Sequence, residues 1–398
     1  AALAVPFGKI ADRSQRKRIL WIGILIFWLC SVAGMFSAKM WMLLLARLGQ
    51  GIGASMIFST NIAILVGAFD KELRGKVLGY STSSTYAGLS AGPVLGGFLN
   101  HNFGWKSIFI AAAIVSAVAF YGAFRKLPAE NRTKDKSHMD WRGVFLYITA
   151  IVGLMYGFST LTASDAGPFI LAAGAILMFL FIRTELKQEN PVIEVRMFGQ
   201  NLSYAFSNLA ALLNYGATYA ISYLISIYLQ TVMDYNSQTA GLILIASPLV
   251  MAVLSPVAGR LSDKHSPYIM SSAGMGFCAA ALALFSFLPQ ESSIFRIIGT
   301  LSLSGIGFAL FTSPNTNAVM ASVEKEDYGI ASSILATMRS IGHTASMAVV
   351  TLVMGAYLGN TALDKADTAV LMDTIHTCFY VFTALCIAGI FIALKRKT

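Results

Sequence analysis

Two arginines and a histidine stand where their surroundings demand an explanation. Arg47 lies in Arg47-Leu48-Gly49-Gln50-Gly51-Ile52-Gly53-Ala54, inside a long apolar run; Arg339 lies inside another, four residues before His343. A guanidinium among apolar residues is costly unless it faces a cavity or a partner. It cannot release a proton at neutral pH, so its use is electrostatic: it lowers the pKa of a neighbouring acid. His343 shares a helical face with Arg339 and belongs to the residue type that titrates near neutrality. Arg47, Gln50, Arg339 and His343 are therefore the candidates for a polar cavity or proton pathway, with a satisfied core histidine the plainer reading of His343. Aromatic faces accompany them. Tyr215, Tyr219 and Tyr223 recur at helical spacing, and Phe308, Phe311 and Asn315 share a second face. Such faces suit a lipophilic cavity with a few polar handles, and they also suit ordinary helix packing.

What is missing narrows the chemistry. No Asp or Glu lies deep in a complete apolar run; Asp165, Asp234, Glu291 and Asp373 all fall near the ends of such runs. A proton-coupled carrier of cations needs a buried carboxylate. Either that acid lies outside these runs, or the substrate is neutral or anionic. No G-x-x-x-x-G-K-[ST], H-E-x-x-H or G-x-S-x-G occurs, so neither ATP nor catalysis is expected, and no cofactor or metal is called for. Cys30, Cys278, Cys378 and Cys386 lack metal-ligand spacing and read as small core residues.

The elements that must position these residues are membrane helices. Of 398 residues, 56% are apolar and 12% charged, with a mean hydropathy of +0.67. A soluble chain carries about twice that share of charge. Twelve apolar runs are long enough to cross a bilayer: 19–38, 42–68, 76–98, 106–125, 142–162, 167–184, 203–231, 238–259, 269–288, 294–318, 329–357 and 374–394. Alternating strand-length patterns, the mark of a transmembrane barrel, are absent. Residues 1–8 read as the end of a further helix, with one helix and most of a second expected before them. If 9–18 is cytoplasmic, the cytoplasmic segments hold 23 of the 29 basic residues and the opposite side four. That asymmetry accounts for the net charge of +10 without nucleic acid and places the C-terminus inside.

Polar linkers at 126–141 and 185–202 bracket a hairpin turning at Ser164-Asp165-Ala166-Gly167-Pro168. The expected organisation is 1–126 as a first bundle, 127–202 as linkers and inserted hairpin, and 203–398 as a second bundle. An internal repeat relates the bundles: Pro6-Phe7-Gly8-Lys9-Ile10-Ala11-Asp12-Arg13 recurs as Pro256-Val257-Ala258-Gly259-Arg260-Leu261-Ser262-Asp263-Lys264. Repeated helical halves with a site where they meet are a secondary-transporter arrangement.

Three signatures make the chain resemble the major facilitator superfamily, and within it the fourteen-spanner drug:proton antiporters. Gly8-Lys9-Ile10-Ala11-Asp12-Arg13-Ser14-Gln15-Arg16-Lys17-Arg18 is similar to the family's cytoplasmic latch loop, departing at Gln15 where the family has glycine. The resemblance implies a latch built from Gly8, Asp12, Arg13, Arg16 and Lys17, echoed by Gly259, Asp263 and Lys264. The Arg47 segment resembles the fourth-helix motif, whose arginine the family links to proton transfer. Gly88-Leu89-Ser90-Ala91-Gly92-Pro93-Val94-Leu95-Gly96-Gly97 resembles the fifth-helix motif of antiporters. Its glycines would allow tight helix contact and Pro93 a kink.

The expected fold is all-α, two six-helix bundles with an inserted hairpin, of which this chain holds twelve complete spans and one partial. The expected function is proton-driven export of drugs or other lipophilic compounds across the inner or plasma membrane, by a monomer whose partners are lipid and a small-molecule substrate. Export of one metabolite or organic anion is the second reading. A truncated membrane protein that transports nothing is the third.

Overall fold

In lipid, backbone polar groups must be satisfied within the chain, which leaves long apolar runs little choice but helix. The computed structural model describes residues 2–127, 139–161, 164, 166–188, 191–193, 195–359 and 367–395, without the side chains of Lys71, Pro93, Val94, Gly97, His101 and Lys126. Its regular structure is helical throughout. The first unit comprises α1 (Ala4–Arg13), α2 (Arg16–Met35), α3 (Met40–Ala68), α4 (Arg74–Phe103) and α5 (Lys106–Lys126). Next come α6 (Trp141–Thr160) and α7 (Gly167–Glu185), which pack on each other, and the short α8 (Arg196–Gln200). The last unit holds α9 (Leu202–Thr218), α10 (Ile221–Ile227), α11 (Ser237–Leu244), α12 (Ala246–Lys264), α13 (Pro267–Ser286), α14 (Ile294–Ala321), α15 (Tyr328–Leu358) and α16 (Thr368–Leu394).

Helix ends follow local chemistry. Asp140 caps α6 by accepting from Arg142 N and Gly143 N, and Asn201 and Asn236 cap α9 and α11 in the same way. Gly104, at φ +77°, makes the turn between α4 and α5, a conformation that side chains with a Cβ disfavour.

Eleven helical segments among the described residues are long and apolar enough to cross a membrane. Sequence reading expected twelve. The difference is 76–98: it forms most of α4, a 30-residue helix, but its Gly, Ser and Thr residues keep it too polar to qualify. Two expected single spans are interrupted. The run 203–231 is α9, then α10, then a π turn over Tyr228–Val232, and 238–259 divides at Ile245 into α11 and α12. The turn residue Asp165 lies outside the described residues.

The units join where α15 packs on α1 and α3 and where α4 packs on α12 and α14; the crossings of α1 on α15 and α4 on α12 are the ones the repeat marks. Both are close because glycine removes the Cβ. A Cβ on Gly8 would meet Gly329 O at 2.7 Å, one on Gly79 would meet Ser255 O at 2.6 Å, and Gly75 and Gly259 lie backbone to backbone. The α6–α7 pair is fastened to the last unit by Tyr147 and Thr337, whose hydroxyls are 3.2 Å apart in a buried contact.

Candidate functional site

The two halves of the sequence repeat do the same job at the two crossings. Asp12, just past Gly8, accepts from Gly329 N (2.9 Å) and Ile330 N (2.7 Å), the first amides of α15. Asp263 accepts from Gly75 N (2.5 Å) and Lys76 N (2.8 Å), the first amides of α4. A helix N-terminus carries unsatisfied N–H groups and partial positive charge, so a carboxylate is favoured there. Each carboxylate therefore ties its own unit to a helix of the other.

The Asp12 tie is reinforced. Arg16 donates to Asp12 Oδ1 through Nε (2.9 Å) and Nη2 (2.6 Å), and reaches on to Lys325 O at 2.6 Å. Both side chains of this ion pair are buried, at 5% and 7% exposure. Burial pushes the Asp12 carboxyl above the usual carboxylate value, while Arg16 and the two amides pull it back. The guanidinium groups of Arg16 and Arg74 lie 5.7 Å and 5.4 Å from the centre of the Tyr328 ring. Lys17 lies over Trp21 and donates to Leu127 O. Arg13 ends α1, and Lys264 is exposed at the end of α12. This end, which the charge pattern assigns to the cytoplasm, is closed across the two units.

Behind the closed end lies a small polar cavity of about 50 Å³, lined by Phe58, Asn61, Thr85, Tyr86, Thr312 and Arg339 among others. It draws on α3 and α4 from one unit and on α14 and α15 from the other. Tyr86 and Thr312 approach across that boundary, their hydroxyl oxygens 3.3 Å apart. The Arg339 guanidinium lies 5.0 Å from the centre of the buried Tyr215 ring, and its Nε is buried without a hydrogen-bond partner. His343 stacks on Tyr219, ring centroids 4.0 Å apart, and meets Tyr215 edge-on.

Other candidates sit elsewhere. Arg47 is exposed, over the Phe109 ring of α5 at 4.8 Å and 3.3 Å from Gln50 Oε1, while Gln50 donates to Ser31. Arg47 thus does not join Arg339 at the cavity. Of the expected tyrosine stripe, Tyr215 and Tyr219 both meet His343; Tyr215 is buried, while Tyr219 and Tyr223 are exposed at 48% and 40%. Phe308 and Phe311 pack on Tyr215, and the buried Asn315 donates to Ser207 O. The expected glycine seam of α4 needs correction. A Cβ on Gly88, Gly92 or Gly96 would meet nothing within 4 Å, so no described helix packs tightly there. The side chains of Pro93 and Gly97 lie outside the described residues.

Sequence reasoning missed three things. The polar stretch Tyr80-Ser81-Thr82-Ser83-Ser84-Thr85-Tyr86 supplies much of the cavity wall; its hydroxyl content inside a membrane-length run was the available signal. Arg74 and Tyr328 gave no local sign of their pairing. Glu185, taken as linker, is 2% exposed, with Oε2 accepting from Ile193 N at 2.9 Å.

The Major Facilitator Superfamily profile matches residues 1–346 and again residues 207–398. The riboflavin transporter RibZ of Clostridioides difficile is 26% identical over 397 residues, covering 98% of this chain and 86% of that protein. The multidrug resistance protein Stp of Mycobacterium tuberculosis is 29% identical over 381 residues, covering 93% and 69%. Among solved structures, the human organic anion transporter MFSD10 (TETRAN) superposes with a TM-score of 0.72 at 15% identity, covering 98% of this chain and 80% of that one. With all-helical, membrane-length elements and two crossings that repeat one carboxylate tie, the chain belongs to the major facilitator superfamily, a family of multi-pass membrane transporters and not of enzymes.

Proposed function

We propose that the chain is a proton-coupled exporter of amphipathic, drug-like compounds that works by alternating access, of the fourteen-spanner antiporter type, in the cell's inner or plasma membrane with its C-terminus in the cytoplasm. One observation carries the reading: Asp12 and Asp263 cap helices of the opposite unit and hold one end shut, with a polar cavity behind them. Such ties are reversible. Breaking them exchanges about four charge-assisted hydrogen bonds for hydration, a small net cost per bond. Two units that close at one end by breakable caps, around a site drawing on both, have what rocking about a central site requires. Drug efflux and multidrug resistance proteins among the relatives support the substrate class.

The test is export of ethidium into the lumen of everted membrane vesicles containing the chain. Efflux should follow an imposed proton gradient, stop when a protonophore collapses it, and fall when Asp12 and Asp263 are both replaced by alanine. Efflux that persists without a gradient and needs ATP would remove the reading.

A further inference from the structure

The cavity beside Arg339 is one part of a larger space. It shares Asn61, Ser81 and Thr85 with a groove of about 750 Å³ between α3 and α4. Leu65, Phe69, Leu73 and Val77 give that groove apolar walls, and Lys76 stands toward the latch end. The residues lining the two spaces include two cations, Arg339 and Lys76, and no carboxylate. Arg339 hydrogen-bonds Tyr215 but makes no ion pair among the described residues, and its Nε lacks a hydrogen-bond partner.

A cation withdrawn from water needs a counter-charge. No described side chain supplies one to Arg339; an anionic ligand would. A cationic ligand would add a second positive charge in the same low-dielectric region; an anion would neutralise the first. The hydroxyls of Thr82 and Tyr86 line the same cavity and can donate to an anion's remaining oxygens. Size divides the ligand in two. The cavity, at about 50 Å³, accepts a small polar head and not a ring system. The groove lies within the range of drug-sized pockets, about 300–1,000 Å³.

We propose that these adjoining spaces form a head-and-body site for an amphipathic organic anion: a carboxylate, sulfonate or phosphate head at Arg339, and an apolar body along the groove between α3 and α4. This names the substrate class of the exporter and rests on that reading. Arg339 is then the residue that sets specificity for head charge.

The test uses the purified full chain and two probes with one body and opposite heads, 1-pyrenebutyrate and a pyrenebutyl-trimethylammonium salt. Binding is followed by energy transfer from tryptophan to pyrene. The anion should bind at least about tenfold tighter than the cation. Arg339→Gln should erase that preference from both sides, weakening the anion and, by relieving the repulsion, tightening the cation. Arg339→Lys should retain part of it, since the charge stays but the planar fork is lost. Should Arg339→Gln fail to fold, Thr82→Val serves instead, with the anion expected to weaken about threefold and the cation not at all. Equal affinities in the unaltered chain, or an anion preference untouched by both substitutions, overturns the proposal. Ethidium efflux that follows the proton gradient, together with no head-charge preference, leaves the exporter reading standing and this one refuted. A clear preference with no gradient-driven transport of either ethidium or 1-pyrenebutyrate does the reverse.

Discussion

Removing the Asp12 carboxylate should unlock the closed end, and the structure sets the size of the effect. Asp12→Ala takes two acceptors from the first turn of α15 and leaves Arg16, itself buried, without its ion pair. Breaking a buried pair on one side costs about 3–5 kcal/mol. Arg16 keeps its bond to Lys325 O, so the low end applies, about 3 kcal/mol, or a shift of about a hundredfold in the closed–open ratio. Asp263→Ala removes the matching pair of bonds, but no arginine is paired with Asp263 among the described residues. Its cost should be about 1.5 kcal/mol, near tenfold. The assay is electron–electron distance measurement between spin labels at Arg18 and Glu324, both exposed and on opposite sides of the α1–α15 crossing. The open population should grow in the order Asp263→Ala, then Asp12→Ala, then the double variant, where the two costs add. An Asp12→Ala protein with an unchanged distance distribution would refute the latch, as would a larger effect from Asp263→Ala.

Four further outcomes follow from named contacts. Gly259→Val should destabilise the α4–α12 crossing by at least about 1–3 kcal/mol, because its side chain would run into the backbone of Gly75 and Gly79; thermal unfolding in detergent checks this, and an unchanged midpoint contradicts it. A double-mutant cycle on Tyr147→Phe and Thr337→Val should show a coupling of about 1 kcal/mol, the worth of one buried hydroxyl pair. Gly92→Ala should be neutral or stabilising by up to about 1 kcal/mol, since its Cβ meets nothing and alanine favours helix; a loss above about 2 kcal/mol would reveal a helix packed on that face. Because burial raises the Asp12 pKa in the closed latch, the closed form binds a proton more tightly than an open form with a solvated carboxylate. Lowering the pH on that side should therefore increase the closed population in the same distance assay, and Asp12→Asn should abolish the dependence.

The architecture could be read from the chain because lipid restricts it. Apolar runs, the skew of basic residues and the repeat of Gly8–Asp12 at Gly259–Asp263 each have a single-chain physical cause. The repeat even identified the two residues that act equivalently, though not what they touch: Asp12 meets Gly329, 317 positions away, and no local spacing encodes that. The same holds for Arg74 and Tyr328, which look like an ordinary loop cation and an ordinary aromatic until α4 and α15 are brought together. Helicity of 203–231 is legible in the sequence, but not its irregular turn after Thr218 or its π turn at Tyr228–Val232, which depend on the packing around them. Motif glycines illustrate the opposite limit. Spacing shows that Gly88, Gly92 and Gly96 can form a close contact, whereas a contact also needs a partner, and the described residues place none there. Arg339 was recognisable because charge in an apolar run is expensive wherever the chain places it. Arg47 satisfies the same cost differently, against Phe109 and Gln50 at an exposed site.

Purified chain in proteoliposomes loaded with a pH-sensitive dye, with no nucleotide present, gives the most direct measurement of the central claim. Adding a transported compound across the membrane should drive protons the opposite way, with the flux lost in the Asp12→Ala, Asp263→Ala double variant. Movement of the compound with no accompanying proton flux, or proton flux in the same direction, would contradict the account.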